Sequence, residues 1–222
     1  MTDRSRLCQG GADAEVARAC LLRQARYAID AGVDFVQVRE RDLDTADLAA
    51  TVSDIIAMAR GTRTRILIND RVDVALACGA AGVHLRADSV PAAAVRSIAP
   101  PPFVIGRSVH VVSDAVAAGA AVDYLIAGTV WQTSAKPADH PVLGIDGLSD
   151  IVRAVSVPVL AIGGVTLDRL GEVAARGAAG AAGIGLFMAS GPGTVNLPCR
   201  AVPLVEMAAA ARARFDTSAT AP

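Results

Sequence analysis

Pro158-Val-Leu-Ala-Ile-Gly-Gly-Val165 is a short apolar run that stops at two glycines, and the helical pattern Leu167–Arg176 follows it directly. A second short run, Gly180-Ala-Ala-Gly-Ile184, comes next. Apolar runs of this length flanking an amphipathic segment read as buried strands joined by a crossover helix, the βαβ unit of a parallel sheet. Working outward, the same kind of run recurs as Phe35-Val-Gln-Val-Arg39, Arg65-Ile-Leu-Ile-Asn69, Gly82-Val-His-Leu85, Phe103-Val-Ile-Gly-Arg-Ser108 and Asp123-Tyr-Leu-Ile-Ala127. Helical patterns lie between and around them at Ala14–Ala31, Thr45–Arg60, Val72–Cys78, Pro91–Ile98, Ser113–Gly119, Gly147–Ala154 and Ala201–Phe215. With Leu7-Cys-Gln9 as a short first strand, the chain holds eight βα units. The expected fold is α/β, a (β/α)8 TIM barrel, at a length slightly under the roughly 250 residues usual for that fold. An open doubly wound sheet is the rival, but it calls for a Gly-rich turn after the first strand, and Gly10-Gly11 lacks that context.

No linker or second periodic region interrupts this pattern, so residues 1–222 are expected to form one domain, with the 216–222 tail disordered. The 21 basic and 22 acidic residues leave a formal net charge of −1, without the cationic footprint of a general nucleic-acid or membrane-surface binder. No apolar stretch approaches the roughly 20 residues needed to cross a bilayer. Met1-Thr-Asp-Arg-Ser-Arg6 has no apolar export signal, and Cys8, Cys20, Cys78 and Cys199 show neither disulfide nor metal-ligand spacing. A cytoplasmic protein with reduced thiols is expected, with neither nucleic acid nor membrane among its partners and homo-oligomer formation left open. Lys136 is the only Lys among the 21 basic residues, which marks its ammonium as a chemical requirement in a chain that otherwise uses Arg.

Barrel strands alternate side chains between interior and helix layer, and the active end lies at their C-termini. Gln37 and Arg39 share the inward parity, whereas Val36 and Val38 take the outward one; Asn69, His84 and Ser108 stand at or near the ends of their runs. Such buried polar groups need partners, either each other or a ligand. Arg39, Arg41 and Lys136, with the hydroxyls of Thr133 and Ser134 in the loop before that Lys, suggest anion chemistry. Arg71 and Arg107 have the wrong or an uncertain parity, and outward salt bridges suit them better. Gly163-Gly164 and Gly183-Ile-Gly185 end the last two strands, where bare backbone admits a phosphate; tight packing of small residues is the other reading. Asp70 suits either a Mg2+ ligand or the N-cap of the helix that starts just after it. His110 is a candidate base, and His140 reads as a loop residue.

Six ordered blocks resemble the thiamine phosphate synthase and thiazole tautomerase superfamily: Gln37-Val-Arg-Glu-Arg41, Ile68-Asn-Asp-Arg-Val-Asp-Val-Ala75, Gly82-Val-His-Leu85, Gly106-Arg-Ser-Val-His110, Gly128 through Lys136, and Ala161-Ile-Gly-Gly164. The resemblance implies a transferase of thiamine biosynthesis that joins hydroxymethylpyrimidine pyrophosphate to thiazole phosphate, releasing pyrophosphate through a pyrimidine carbocation. Its small phosphorylated substrates would bind at Gln37, Arg39, Arg41, Asn69, His84, Ser108, Thr133, Lys136, Gly163, Gly164, Gly183 and Gly185, with Gln37, Arg39, Asn69, Ser108 and Lys136 on the pyrimidine pyrophosphate and the glycines on the thiazole phosphate. Arg39, Ser108 and Lys136 would assist the chemistry, with Mg2+ on Asp70 and Asp88. Some positions depart from the synthase pattern: Arg41 replaces a Lys, Arg86-Ala87 a Gly-Gln pair, Ala135 a Thr and Gly185 a Ser, while Ser89 falls where the second metal-binding Asp belongs, with Asp88 one residue early. The tautomerase branch of the resemblance implies a catalytic His where this chain has Thr129. A thiazole isomerase and a phosphate-ligand binding protein of reduced activity therefore stand as alternatives to the synthase.

Overall fold

The structure is a computed structural model describing residues 1–7, 13–187 and 201–216. Seven strands are present among them: β1 (Phe35–Val38), β2 (Arg65–Asn69), β3 (Gly82–Leu85), β4 (Val104–Val109), β5 (Tyr124–Ala127), β6 (Val159–Ile162) and β7 (Gly180–Ala182). Their order in the sheet is their order in the chain. Helices alternate with them: α1 (Arg4–Leu7) and α2 (Ala14–Asp30) before β1, then α3 (Thr45–Ala59), α4 (Val72–Ala77), α5 (Ala92–Ile98), α6 (Val112–Ala118), α7 (Gly144–Ala154) and α8 (Leu170–Ala175), with α9 (Ala201–Asp216) last. This is the alternating parallel α/β organisation expected from the sequence. No helix among the described residues is long and apolar enough to cross a membrane.

Two compact units divide the chain. The first comprises Met1–Val83 and Phe187–Ala209, the second His84–Leu186 and Ala210–Pro222. In the first, β1 pairs in parallel with β2, from Phe35 opposite Arg65 to Val38 opposite Ile68. Leu21 and Ile29 of α2, Val52 and Ile55 of α3, and Ile66, Leu67 and Ile68 of β2 are buried and make its core. The two long helices start at Asp13 and Asp44, whose carboxylates each accept the backbone N–H three residues on at 2.8 Å. Such caps satisfy one orphan donor each and stabilise by about 1 kcal/mol. In the second unit, β4, β5, β6 and β7 pair in parallel in that order. Leu85, Ile105, Leu125, Leu148, Ile151 and Leu170 are fully buried there.

The chain start differs from the expected eighth βα unit. Leu7 closes the helical turn α1 instead of opening a strand, while Cys8, Gln9 and Gly10-Gly11 lie outside the described residues. A buried carboxylate decides this locally. Glu40 accepts the backbone N–H of Arg4 on both oxygens, at 3.2 and 3.1 Å, and its guanidinium at 3.2 Å, while Asp42 takes the guanidinium at 2.7 Å. A carboxylate on the first N–H of a helical turn favours that turn over extended chain. Just before it, Thr2 runs beside β1, donating its N–H to the Gln37 carbonyl and accepting the Arg39 N–H on its hydroxyl, each at 2.9 Å. The 217–222 part of the tail and Cys199 also lie outside the described residues, while Cys20 and Cys78 are free thiols.

Candidate functional site

In the first unit the polar residues gather at the C-terminal ends of β1 and β2. Gln37 is paired in register with Leu67, so Asn69, two residues on, shares its face of the sheet. The Gln37 side-chain amide donates to Oδ1 of Asn69 at 3.0 Å, and Gln37 is buried. Arg39 is half-buried, with its guanidinium 3.9 Å from the Asp3 carboxylate, whereas Arg41 is exposed.

Directly after Asn69 the backbone makes an unusual turn. Asp70 has φ 63°, and the N–H of Arg71 returns to the carbonyl of Asn69 at 2.8 Å. A bond from residue i+2 to i around a positive φ is the strained form of γ-turn. Among the described residues Asp70 is the one non-glycine in the positive-φ region. The N-cap alternative for Asp70 is removed, because the N-cap of α4 is Arg71, whose side chain makes no capping bond. Arg71 instead turns outward to Asp73 at 2.6 Å and to the Thr45 hydroxyl at 3.1 Å; its guanidinium hydrogen bonds hold the Asp73 carboxyl below the usual carboxylate range.

The second unit carries three groups. The first is a buried polar chain. His84, 1% exposed on β3, has Nδ1 3.0 Å from the Tyr124 hydroxyl on β5 and Nε2 2.9 Å from the Ser108 hydroxyl on β4. Burial pushes the imidazole down to about 3, so it is neutral, and the same desolvation pushes the Tyr124 phenol up. The Tyr124 ring lies over Gly106, its register partner on β4.

The second group is the pair of glycine turns. Ile162 pairs with Ala182, so Gly163 and Gly183 leave β6 and β7 side by side. Gly163 has φ 95° and Gly164 φ 65°, conformations in which an L side chain is strained. Their backbone is also tightly packed: a Cβ at Gly163 would lie 2.5 Å from Thr129 Cγ2, and one at Gly164 2.7 Å from Trp131 Cβ. Arg169, absent from the sequence reading, ties this turn down by donating to the Gly164 carbonyl at 2.7 Å with its guanidinium carbon 4.8 Å from the Trp131 ring centre. Packing therefore explains part of the Gly163-Gly164 requirement. It does not explain Gly185, where an added Cβ would meet nothing within 4 Å.

The third group is spread over loops. Lys136 is exposed, on a turn whose N–H returns to the Thr133 carbonyl at 3.2 Å. Asp88 is exposed and ion-paired with Arg86. Among the described residues Arg107 makes no ion pair; it donates to the carbonyls of Ala87 and Val90 at 2.8 and 2.9 Å and so braces the Asp88 loop. His110 bonds through Nδ1 to the Gly128 carbonyl, while His140 is a loop residue, its N–H on the Pro137 carbonyl.

No group of three His, Cys, Asp or Glu side chains capable of holding a metal occurs among the described residues. Mg2+ nonetheless takes as few as one or two carboxylates and completes its octahedron with water and substrate phosphate. Asp70, held in a strained turn beside Asn69, fits a site of that type, whereas the Asp88 carboxylate is engaged by Arg86.

The fold and these strand ends define an α/β protein of barrel type, with polar side chains and glycine turns at the C-terminal ends of parallel strands. Residues 11–187 match the family model described as thiamine monophosphate synthase. The thiamine-phosphate synthase of Methanoregula boonei is 44% identical over 155 residues, covering 69% of this chain and 72% of that one. That of Albidiferax ferrireducens is 38% identical over 164 residues, covering 73% and 75%. Among solved structures, thiamine phosphate pyrophosphorylase from Pyrococcus furiosus aligns with TM-score 0.73 and 29% identity, over 89% of this chain and 90% of that one. The chain belongs to the thiamine monophosphate synthase family.

Proposed function

We propose that this protein is a transferase of the thiamine phosphate synthase type, joining hydroxymethylpyrimidine pyrophosphate to thiazole phosphate with release of pyrophosphate. The observation that carries the reading is the turn at Asp70. A carboxylate is held at φ 63° next to an Asn69 that is itself fixed by Gln37. Backbone strain of this kind persists where a side chain must point somewhere its relaxed backbone would not send it.

In the first unit, Gln37, Arg39 and Asn69 orient the pyrimidine pyrophosphate, and Asp70 holds Mg2+. When bound, that ion neutralises phosphate oxygens and so makes pyrophosphate a better leaving group. In the second unit, Ser108 and Lys136 are donors suited to an anionic leaving group, and in the transfer the C–O bond breaks and the oxygen keeps the electron pair. Gly163, Gly164, Gly183 and Gly185 present backbone to the thiazole phosphate. No residue needs to titrate during such a step; positioning and fixed donors supply the rate. The small phosphorylated substrates fit the near-neutral chain, whose donors are local rather than spread over a cationic surface.

The test is formation of thiamine phosphate from the two substrates with Mg2+, on the parent chain and on Asp70→Asn. Asn tolerates positive φ and keeps the turn, so this change removes charge alone. Turnover by the parent and a loss of at least about a hundredfold in the variant are expected. No product, beside a competent control enzyme, would reject the reading; an unchanged rate in the variant would remove Asp70 from the metal.

A further inference from the structure

We propose that Tyr124 is a positioning residue, which through His84 aims the hydroxyl proton of Ser108 at a phosphate oxygen of the substrate. The inference rests on the reading of Ser108 as an anion donor, and deepens it. Its basis is an accounting of protons along three side chains. A neutral imidazole has one N–H and one bare nitrogen, and each is engaged here: Nδ1 with Tyr124 at 3.0 Å and Nε2 with Ser108 at 2.9 Å. Two directions are open to the chain of protons.

In one, Ser108 donates inward to Nε2, and Nδ1–H donates to the tyrosine oxygen. Ser108 then turns only lone pairs toward a ligand, which repel a phosphate. In the other, the tyrosine O–H donates to Nδ1, Nε2–H donates to the Ser108 oxygen, and the serine proton is left to point outward. Only this second direction serves an anion, and it requires a donor facing Nδ1. The Tyr124 hydroxyl is that donor. His84 is 1% and Tyr124 5% exposed, so water does not scramble the chain from behind, whereas Ser108 is half-buried and reachable. Successive donors in a low-dielectric interior also polarise one another, which strengthens the outermost one.

The geometry that permits this comes from β4 and β5. Gly106 lies opposite Tyr124 in the register, and a Cβ there would fall 2.4 Å from the phenol oxygen and closer still to ring atoms. The missing side chain is the space the phenol occupies. Gly106 and Ser108 share one face of β4, so the ring laid over Gly106 delivers its hydroxyl to the imidazole that serves Ser108.

Long-range 1H–15N correlation spectra of His84 in the parent protein give the first test. The Nε2–H tautomer is expected; a dominant Nδ1–H tautomer would overturn the proposal. In Tyr124→Phe the same resonances should move toward the Nδ1–H form or a mixture, a response that a merely space-filling tyrosine would not give. Calorimetry with inorganic pyrophosphate and Mg2+ on Tyr124→Phe, Ser108→Ala and the double variant gives the second. Each single change should weaken binding about tenfold, and the double variant should bind no more weakly than Ser108→Ala alone. Additive losses, or full affinity in Tyr124→Phe beside a loss in Ser108→Ala, would overturn the relay and leave the Ser108 reading standing. Full affinity in Ser108→Ala would instead remove that reading and the relay with it.

Discussion

A residue in the middle of a relaxed loop takes φ near −60° or beyond; Asp70 stands at 63°, and nothing in its helix-capping surroundings demands that. Asp70→Gly should therefore keep or raise the melting temperature, since relief of the left-handed conformation, about 1–2 kcal/mol, offsets the entropy Gly adds to the unfolded chain. Asp70→Val should lose on the order of 1–2 kcal/mol in urea denaturation, and both should lose turnover. A parallel contrast separates the glycines. Gly164→Val combines positive φ with a Cβ placed 2.7 Å from Trp131, so it should destabilise the fold as well as the ligand complex. Gly185→Ala meets open space. It should melt like the parent, yet bind thiazole phosphate more weakly by calorimetry; unchanged affinity would free Gly185 from any phosphate role. At Lys136, exchange for Arg should not restore the pyrophosphate affinity lost in Lys136→Ala, because a planar fork does not replace a compact ammonium.

At the scale of elements, two contacts between neighbours fix where the polar strand ends lie. The Tyr124 phenol over Gly106 sets the contact between β4 and β5. Gly106→Ala should cost about 2–3 kcal/mol through overpacking, measured by urea denaturation, and pairing it with Tyr124→Ser should recover part of that loss. Recovery identifies the ring as the obstacle; equal instability in the pair would place the strain in the strand itself. The second contact ties α1 to the end of β1 through Glu40, whose side chain is 3% exposed and carries both the backbone and the guanidinium of Arg4.

For the molecule as a whole, acid stability should carry the signature of a buried neutral histidine. His84 titrates near 3 when folded and near 6.5 when unfolded, so below 6.5 the unfolded chain binds a proton that the native chain refuses. Stability is then full above pH 6.5 and falls as pH drops from there toward 3. Denaturant titrations at about pH 7.5 and pH 5 should differ in that direction, and the difference should shrink in His84→Gln, which cannot take the proton. A pH-independent free energy over that range in the parent protein would contradict the burial of a neutral imidazole.

Much of this was legible in the sequence because period and punctuation are local properties. Among the described residues, six of the seven strands lie within the apolar runs read from the chain, β4 passes its run by one residue at Val109, and eight of the nine α-helices lie close to the helical patterns, since a two-residue or 3.6-residue repeat of apolar side chains is written along the chain itself. The parity that groups Gln37 with Arg39, and sends Arg71 to the outside, was likewise readable. What the sequence left open were contacts between residues far apart in it. The helical turn at Leu7 depends on Glu40, over thirty residues away. The choice between cap and strained turn at Asp70 depends on backbone angles that both roles leave unwritten in residue type. Tyr124 looked like one more apolar position in a strand; only the register of β4 against β5, and the imidazole reached across them, gives its hydroxyl a task. The sequence by itself determined the order and kind of the elements and the family's polar motifs. The tertiary structure alone decided which of those polar groups meet, because hydrogen-bond partners are chosen by strand register and burial, and neither is a property of any single segment.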